Sequence, residues 1–174
     1  MKKILYIVLA AFVFNACDQG FEELNVDPIN PSYASAANKL STIQLYSSGS
    51  VVENHQINII YNAMMMQHLA SPLLNLAEGD KYIWRKDYAA ALFFHYRRPV
   101  KLMENLLVQL DDEEAPDEMK AIAKILRVFI FHRLTDHYGD IPYSETGKAF
   151  SEGVFTPKYD AQSDIYADML KELE

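Results

Sequence analysis

Residues 116–143, PDEMKAIAKILRVFIFHRLTDHYGDIPY, decide the fold class. Met119, Ile122, Leu126, Phe129, Ile130 and Leu134 recur at spacings of three and four, which lays apolar side chains along one face of an α-helix. Pro116 suits the first helical position, where its missing N–H costs nothing. Gly139 is placed to cap the far end in a left-handed conformation, and Pro142 prevents continuation. No segment of the chain alternates between apolar and polar residues for long, so the expected fold is all-α.

Upstream, residues 88–110 form another helical stretch, which Pro99 must either kink or restart at a first turn. The two stretches, joined by a short loop, make an αα-hairpin of the size found in tetratricopeptide-like repeats, without the diagnostic repeat residues. The acidic run Asp111-Asp112-Glu113-Glu114 reads as a solvated turn lying at the start of the next helix, where the macrodipole favours negative charge.

Residues 32–47 and 51–69 carry two more helical patterns, separated near Gly49, the second with Ile57, Ile60, Tyr61, Met64, Met65 and Leu69 as its apolar side. Residues 73–86 read as a connection turning at Gly79-Asp80. Residues 144–159 are irregular. Asp160 then offers an N-cap to a last helix with Ile165, Met169, Leu170 and Leu173 inside. That helix reaches Glu174 with no stop signal, so a truncated frame is expected, with one apolar helix face left for a missing neighbour to cover.

The chain of 174 residues has a formal charge of −8 and is 50% hydrophobic, enough for one core and contrary to disorder. Without a basic stripe to displace counterions, nucleic acid is set aside as a partner. No Gly-x-Ser-x-Gly elbow, glycine-rich phosphate loop or Cys-x-x-Cys pair is present, so no catalytic residue, metal or cofactor is assigned.

The amino end reads as an export signal. Lys2-Lys3 precede an apolar run from Ile4 to Ala16, too short for a permanent span, and then Cys17, the only cysteine. Residues 1–16 are therefore expected to be a lipoprotein signal peptide, cut after the small Ala16, with Cys17 lipidated. The sequence before it, Val13-Phe14-Asn15-Ala16, lacks the usual leucine, and an ordinary secretory signal is the alternative. Cleavage removes both lysines and lowers the charge from −8 to −10. Residues 17–32, acidic and interrupted by Pro28 and Pro31, read as an extended tether with Phe21 and Leu24 docking it, and residues 33–174 as the helical domain.

The cysteine, the segment FEELNVDPINP at residues 21–31, and AIAKILRVFIFHRLTDHYGDIPY at residues 121–143 together resemble the SusD/RagB family of outer-membrane lipoproteins. Thr156-Pro157-Lys158-Tyr159-Asp160 with Ile165-Tyr166 fits the next part of that pattern. The resemblance covers this chain as the amino-terminal portion of a longer family member. It implies a lipid-anchored, cell-surface protein of tetratricopeptide-like helices. Such a protein captures an oligosaccharide, or a peptide, and delivers it to a SusC-type TonB-dependent transporter as partner, with no enzymatic activity. Asp18, Glu22 and Glu23 resemble the signal that routes such lipoproteins to the outer face. A surface glycoside hydrolase, suggested by the carboxylate excess, and a purely structural lipoprotein are the rival readings.

A sugar site needs flat aromatic faces and planar polar groups. Tyr82, Trp84 and Arg85, in the connection, offer those types and are the candidate ligand-binding residues. Core packing is the commoner role for a lone tryptophan. His132 and Asp136, four apart, lie on one side of the helix as metal ligands do, but His137 falls about 140° from His132 and does not complete a site, so a hydrogen-bonded surface pair is favoured. Met64-Met65-Met66 reads as core filling. Arg97-Arg98 read as capping or cross-linking helix ends, with an acidic sugar as the remote option.

Overall fold

The computed structural model describes residues 34–73, 78–149 and 152–174, the side chain of Val52 excepted. Residues 1–16, expected to be a signal peptide, Cys17 and the expected tether of residues 17–32 lie outside the described residues. Residues Ser35–Glu174 form one compact unit.

It opens with α1, Ala36–Ser47, whose N-cap Ser35 accepts a hydrogen bond from the amide of Asn38. Gly49 then turns the chain with φ +81. The next helix starts as one α-turn, α2 (Val51–Glu53), behind a capping box in which Ser50 and Glu53 each accept the other's amide proton. It continues as a π-helix, Asn54–Ala63, where an α-helix was expected. Asparagines and β-branched isoleucines hold α geometry only weakly, so tertiary packing decides the winding. Of the expected apolar side, Ile57, Ile60 and Met64 are buried, Tyr61 and Met65 are half-buried, and Leu69 is exposed. Met66 is exposed as well, so the methionine run fills the core only in part.

The connection carries a 3₁₀ turn, Glu78–Lys81, at the predicted Gly79-Asp80. It is tied down rather than free. Gln67 donates to the Asp80 carbonyl, Asp80 accepts from the Ser71 amide, and Lys81 donates to the Leu73 carbonyl. A short α3, Lys86–Ala89, and a 3₁₀ stretch, Ala91–Arg97, lead to Pro99, which restarts the chain as the first residue of α4, Pro99–Asp112. The acidic run thus begins in the last turn of α4 rather than at the start of its successor. The first turn of α5, Asp117–Tyr138, has its own acids in Asp117 and Glu118, and Pro116 is its N-cap.

α1, α4, α5 and α6 (Gln162–Leu173) share one core built on Ile43, Met103, Leu106, Leu110, Phe131, Leu134 and Ile165, all fully buried. The sequence places Ile122 and Phe129 of α5 inside; both are exposed, as is Ile125 at 58%. The predicted Ile130 and Leu134 are buried, and Ala123, Phe131 and Thr135 complete the buried face. On the same face Arg127 turns inward and bonds Glu104 of α4 at 3.0 Å, Glu172 of α6 at 2.8 Å and the Tyr143 hydroxyl at 2.7 Å. Burial opposes its charge, but Glu104, Tyr143 and Glu172 outweigh that and hold its pKa above the usual arginine value. Leu170 and Leu173 of α6, expected inside, are also exposed, leaving Ile165 and Met169 as its buried side.

Residues 139–143 open the connection between the last two helices. Gly139 takes φ +75, which favours glycine, and its amide donates to the Thr135 carbonyl. Asp140 accepts from the amide of Gln162 at 2.9 Å and so caps α6 from a distance, the role expected of Asp160. Asp160 sits in β2, Tyr159–Asp160, which pairs antiparallel with β1, Ile141–Pro142, and it accepts from the Ser144 amide and hydroxyl. This two-residue ladder aside, the described unit is helical, and the all-α reading holds.

Candidate functional site

Trp84 is 68% exposed, so the core reading of the single tryptophan gives way to a surface one. It lines a groove of about 500 Å3 together with Lys86, Phe93, Phe94, Tyr96, Arg97 and Tyr138. Phe93 lies 4.7 Å from the Tyr96 ring and 5.6 Å edge-on from Tyr138, while Trp84 meets Tyr61 edge-on at 5.9 Å. The hydroxyls beneath are already engaged. Tyr96 donates to the Pro142 carbonyl at 2.7 Å, and Tyr138 donates to the Ala89 carbonyl while accepting from the Phe93 amide. Burial pushes the Tyr138 phenol up to about 12, so it stays a neutral donor. What the groove offers a ligand is ring surface.

Of the three candidate residues, only Trp84 lines the groove. Tyr82 is 66% exposed at φ +56 on the preceding turn. Arg85 is committed to Glu78 at 2.9 Å and Asp87 at 3.4 Å and lies over the Tyr88 ring at 5.4 Å, so it braces the segment that presents Trp84. The sequence pattern places Phe93 and Phe94 in the helical stretch of residues 88–110 without marking them as site residues, whereas Arg97 is already named from the sequence, with an acidic sugar as a remote option. The signal for the two rings was the adjacent pair Phe93-Phe94: neighbours about 100° apart on a helix do not both find the core easily.

Beside the groove, and sharing Phe94 and Arg97 with it, lies a second pocket of about 340 Å3 bounded by Tyr46, Ser50, Glu53 and Arg98. Arg98 is the N-cap residue of α4, though its side chain makes no capping hydrogen bond, and its guanidinium lies over Tyr46 in the last turn of α1 at 4.9 Å, so it meets the helix-end role expected of it; Arg97 lies over the Phe94 ring at 5.8 Å.

His132 and Asp136 form the exposed surface pair favoured by their spacing, 3.2 Å apart, and Asp136 also accepts from the Tyr166 hydroxyl. His137 turns toward Tyr61 and Tyr138. Among the described residues no three His, Cys, Asp or Glu side chains are grouped to hold a metal, and no helix is long and apolar enough to cross a membrane. His95 is a different case: it is 1% exposed with neither ring nitrogen hydrogen-bonded, 3.8 Å from Glu53. Burial, opposed by Glu53 and assisted by Arg133, holds its pKa below the usual histidine value.

The SusD-like family described as "Starch-binding associating with outer membrane" matches residues 29–174. A solved structure of a chitin-binding protein superposes with a TM-score of 0.67 at 33% identity, covering 80% of this chain and 31% of its own; the chain thus spans about a third of that protein's length. No curated protein matches this chain.

Proposed function

The chain belongs to the SusD-like family, and on that footing we propose that it binds an oligosaccharide at the cell surface, with Trp84 and the aromatic groove behind it as the stacking platform. The exposed tryptophan carries this reading. A large aromatic left in water on a braced segment costs burial that the fold does not recover, and a pyranose face recovers it on binding. The family description and the chitin-binding neighbour support a glycan as the ligand class. A groove of about 500 Å3 lies within the range of small-molecule sites.

The protein has no chemistry of its own in this reading. Glycoside hydrolysis needs two carboxylates facing each other across the bond to be cut, and none lines the groove among its described residues. Glu104 and Glu172 converge instead on Arg127 inside the fold. Cys17 carries the lipid that holds the protein to the outer membrane, and the captured sugar passes to a SusC-type TonB-dependent transporter. Stacking without many buried hydrogen bonds suits such a handover, because it binds weakly and releases readily.

Calorimetric titration with a panel of neutral and charged oligosaccharides tests the site. Trp84→Ala is expected to weaken binding at least about tenfold, the loss of one stacking contact, while the thermal midpoint holds. Full affinity in this variant would refute the assignment.

A further inference from the structure

Resting on the glycan reading of the groove, we propose that the preferred ligand is an anionic oligosaccharide, whose carboxylate or sulfate group is received by Arg97 and Arg98 in the pocket beside the aromatic groove. The two cavities adjoin, sharing Phe94 and Arg97 in their walls, so a chain stacked on Trp84 lies next to the arginine pocket.

The state of the two arginines points to an oxyanion. Among the described residues neither makes an ion pair, and neither side chain donates a hydrogen bond; each is held only by its face, Arg97 over Phe94 at 5.8 Å and Arg98 over Tyr46 at 4.9 Å. Stacking fixes the plane of a guanidinium and leaves its edge free, and that edge is the fork that matches a carboxylate or sulfate. Arg127, Arg85 and Arg133, by contrast, each spend their edges inside the fold, on Glu104, on Glu78 and on the Ser47 carbonyl. Glu53 is the one carboxylate on the pocket wall, and it is occupied by the Ser50 amide at 2.7 Å. With Lys86 in the groove lining, three cations and one carboxylate line the adjoining cavities, on a chain whose formal charge is −8. The lining charge is opposite in sign to that of the molecule, which favours an anion here.

The test titrates the full chain with three oligosaccharides of equal length, one neutral, one a polyuronate and one sulfated, at about 50 and about 300 mM salt. The expected result is at least about tenfold tighter binding of an anionic ligand than of the neutral one at low salt, narrowing at high salt. In the Arg97→Gln, Arg98→Gln double variant the anionic and neutral ligands converge to within about threefold, whereas Arg97→Lys, Arg98→Lys retains part of the preference. Whether the uronate or the sulfate binds tighter identifies the group received.

Equal affinity for all three, with Trp84→Ala still weakening each, overturns the anionic preference and leaves the groove assignment standing. Binding that Trp84→Ala does not weaken overturns the groove and this inference with it, as does no binding at all. An oligoglutamate peptide binding more tightly than either charged sugar makes the arginines a peptide site and likewise overturns the inference.

Discussion

Gly79 has room for a hydrogen and little else. A Cβ there lies 2.7 Å from the carbonyl oxygen of Ile60 and 2.9 Å from the Met64 Cβ, so the turn that leads to Trp84 rests directly on the π-helix backbone. Gly79→Ala is expected to cost about 2 kcal/mol in urea unfolding, the range of overpacking substitutions, and to alter Trp84 emission; an unchanged midpoint contradicts the close approach. His95 makes a second prediction at this scale. Its folded pKa lies below that of the unfolded chain, so below about pH 6.5 the unfolded state takes up a proton that the folded state resists, and stability falls as the pH drops. His95→Leu removes a buried ring without hydrogen-bonded nitrogens and is expected to flatten that dependence, read as thermal midpoints between pH 7.5 and 5. Equal slopes in both proteins contradict it. Neither residue announced itself in the sequence: Gly79 read as an ordinary turn glycine, and no pattern singled out His95.

At the scale of elements, Arg127 ties α5 to α4 and α6. Its replacement by Ala strands Glu104 and Glu172 beside a cavity between three helices, and a loss of about 3 kcal/mol is expected in denaturant unfolding, as for a broken buried pair. A loss under about 0.5 kcal/mol, typical of surface changes, would show that the network holds nothing. The burial pattern of α5 predicts that Ile125→Ser is tolerated within about 0.5 kcal/mol while Leu134→Ala costs about 2 kcal/mol or more. Periodicity found α4 and α5 and their end signals, because Pro99 and Gly139 act locally. It placed Ile130, Leu134, Met119 and Leu126 of α5 correctly on the core side and Ile122 and Phe129 wrongly, since an apolar pattern cannot reveal an inward arginine whose partners lie 23 and 45 residues away. The capping of α6 by Asp140 escaped for the same reason, its partner lying 22 residues away. Of the site, Trp84 was legible as a residue type in a connection, while Phe93 and Phe94 were hidden in a helical reading that the 3₁₀ stretch replaces.

At the scale of the whole molecule, the family places the chain, and the proposed task of the groove rests on Trp84. Anchoring is tested in cells: Cys17→Ser is expected to move the protein from the membrane fraction to the soluble one, and retention at the membrane contradicts lipidation as the anchor. The central claim, that the exposed tryptophan is where sugar binds, has a reporter built in, because Trp84 is the only tryptophan in the chain. Acrylamide quenching of Trp84 fluorescence, measured with and without saturating oligosaccharide, reads its exposure directly. The account predicts strong quenching of the free protein and marked protection in the complex; saturable binding that leaves quenching unchanged would place the sugar elsewhere and contradict it.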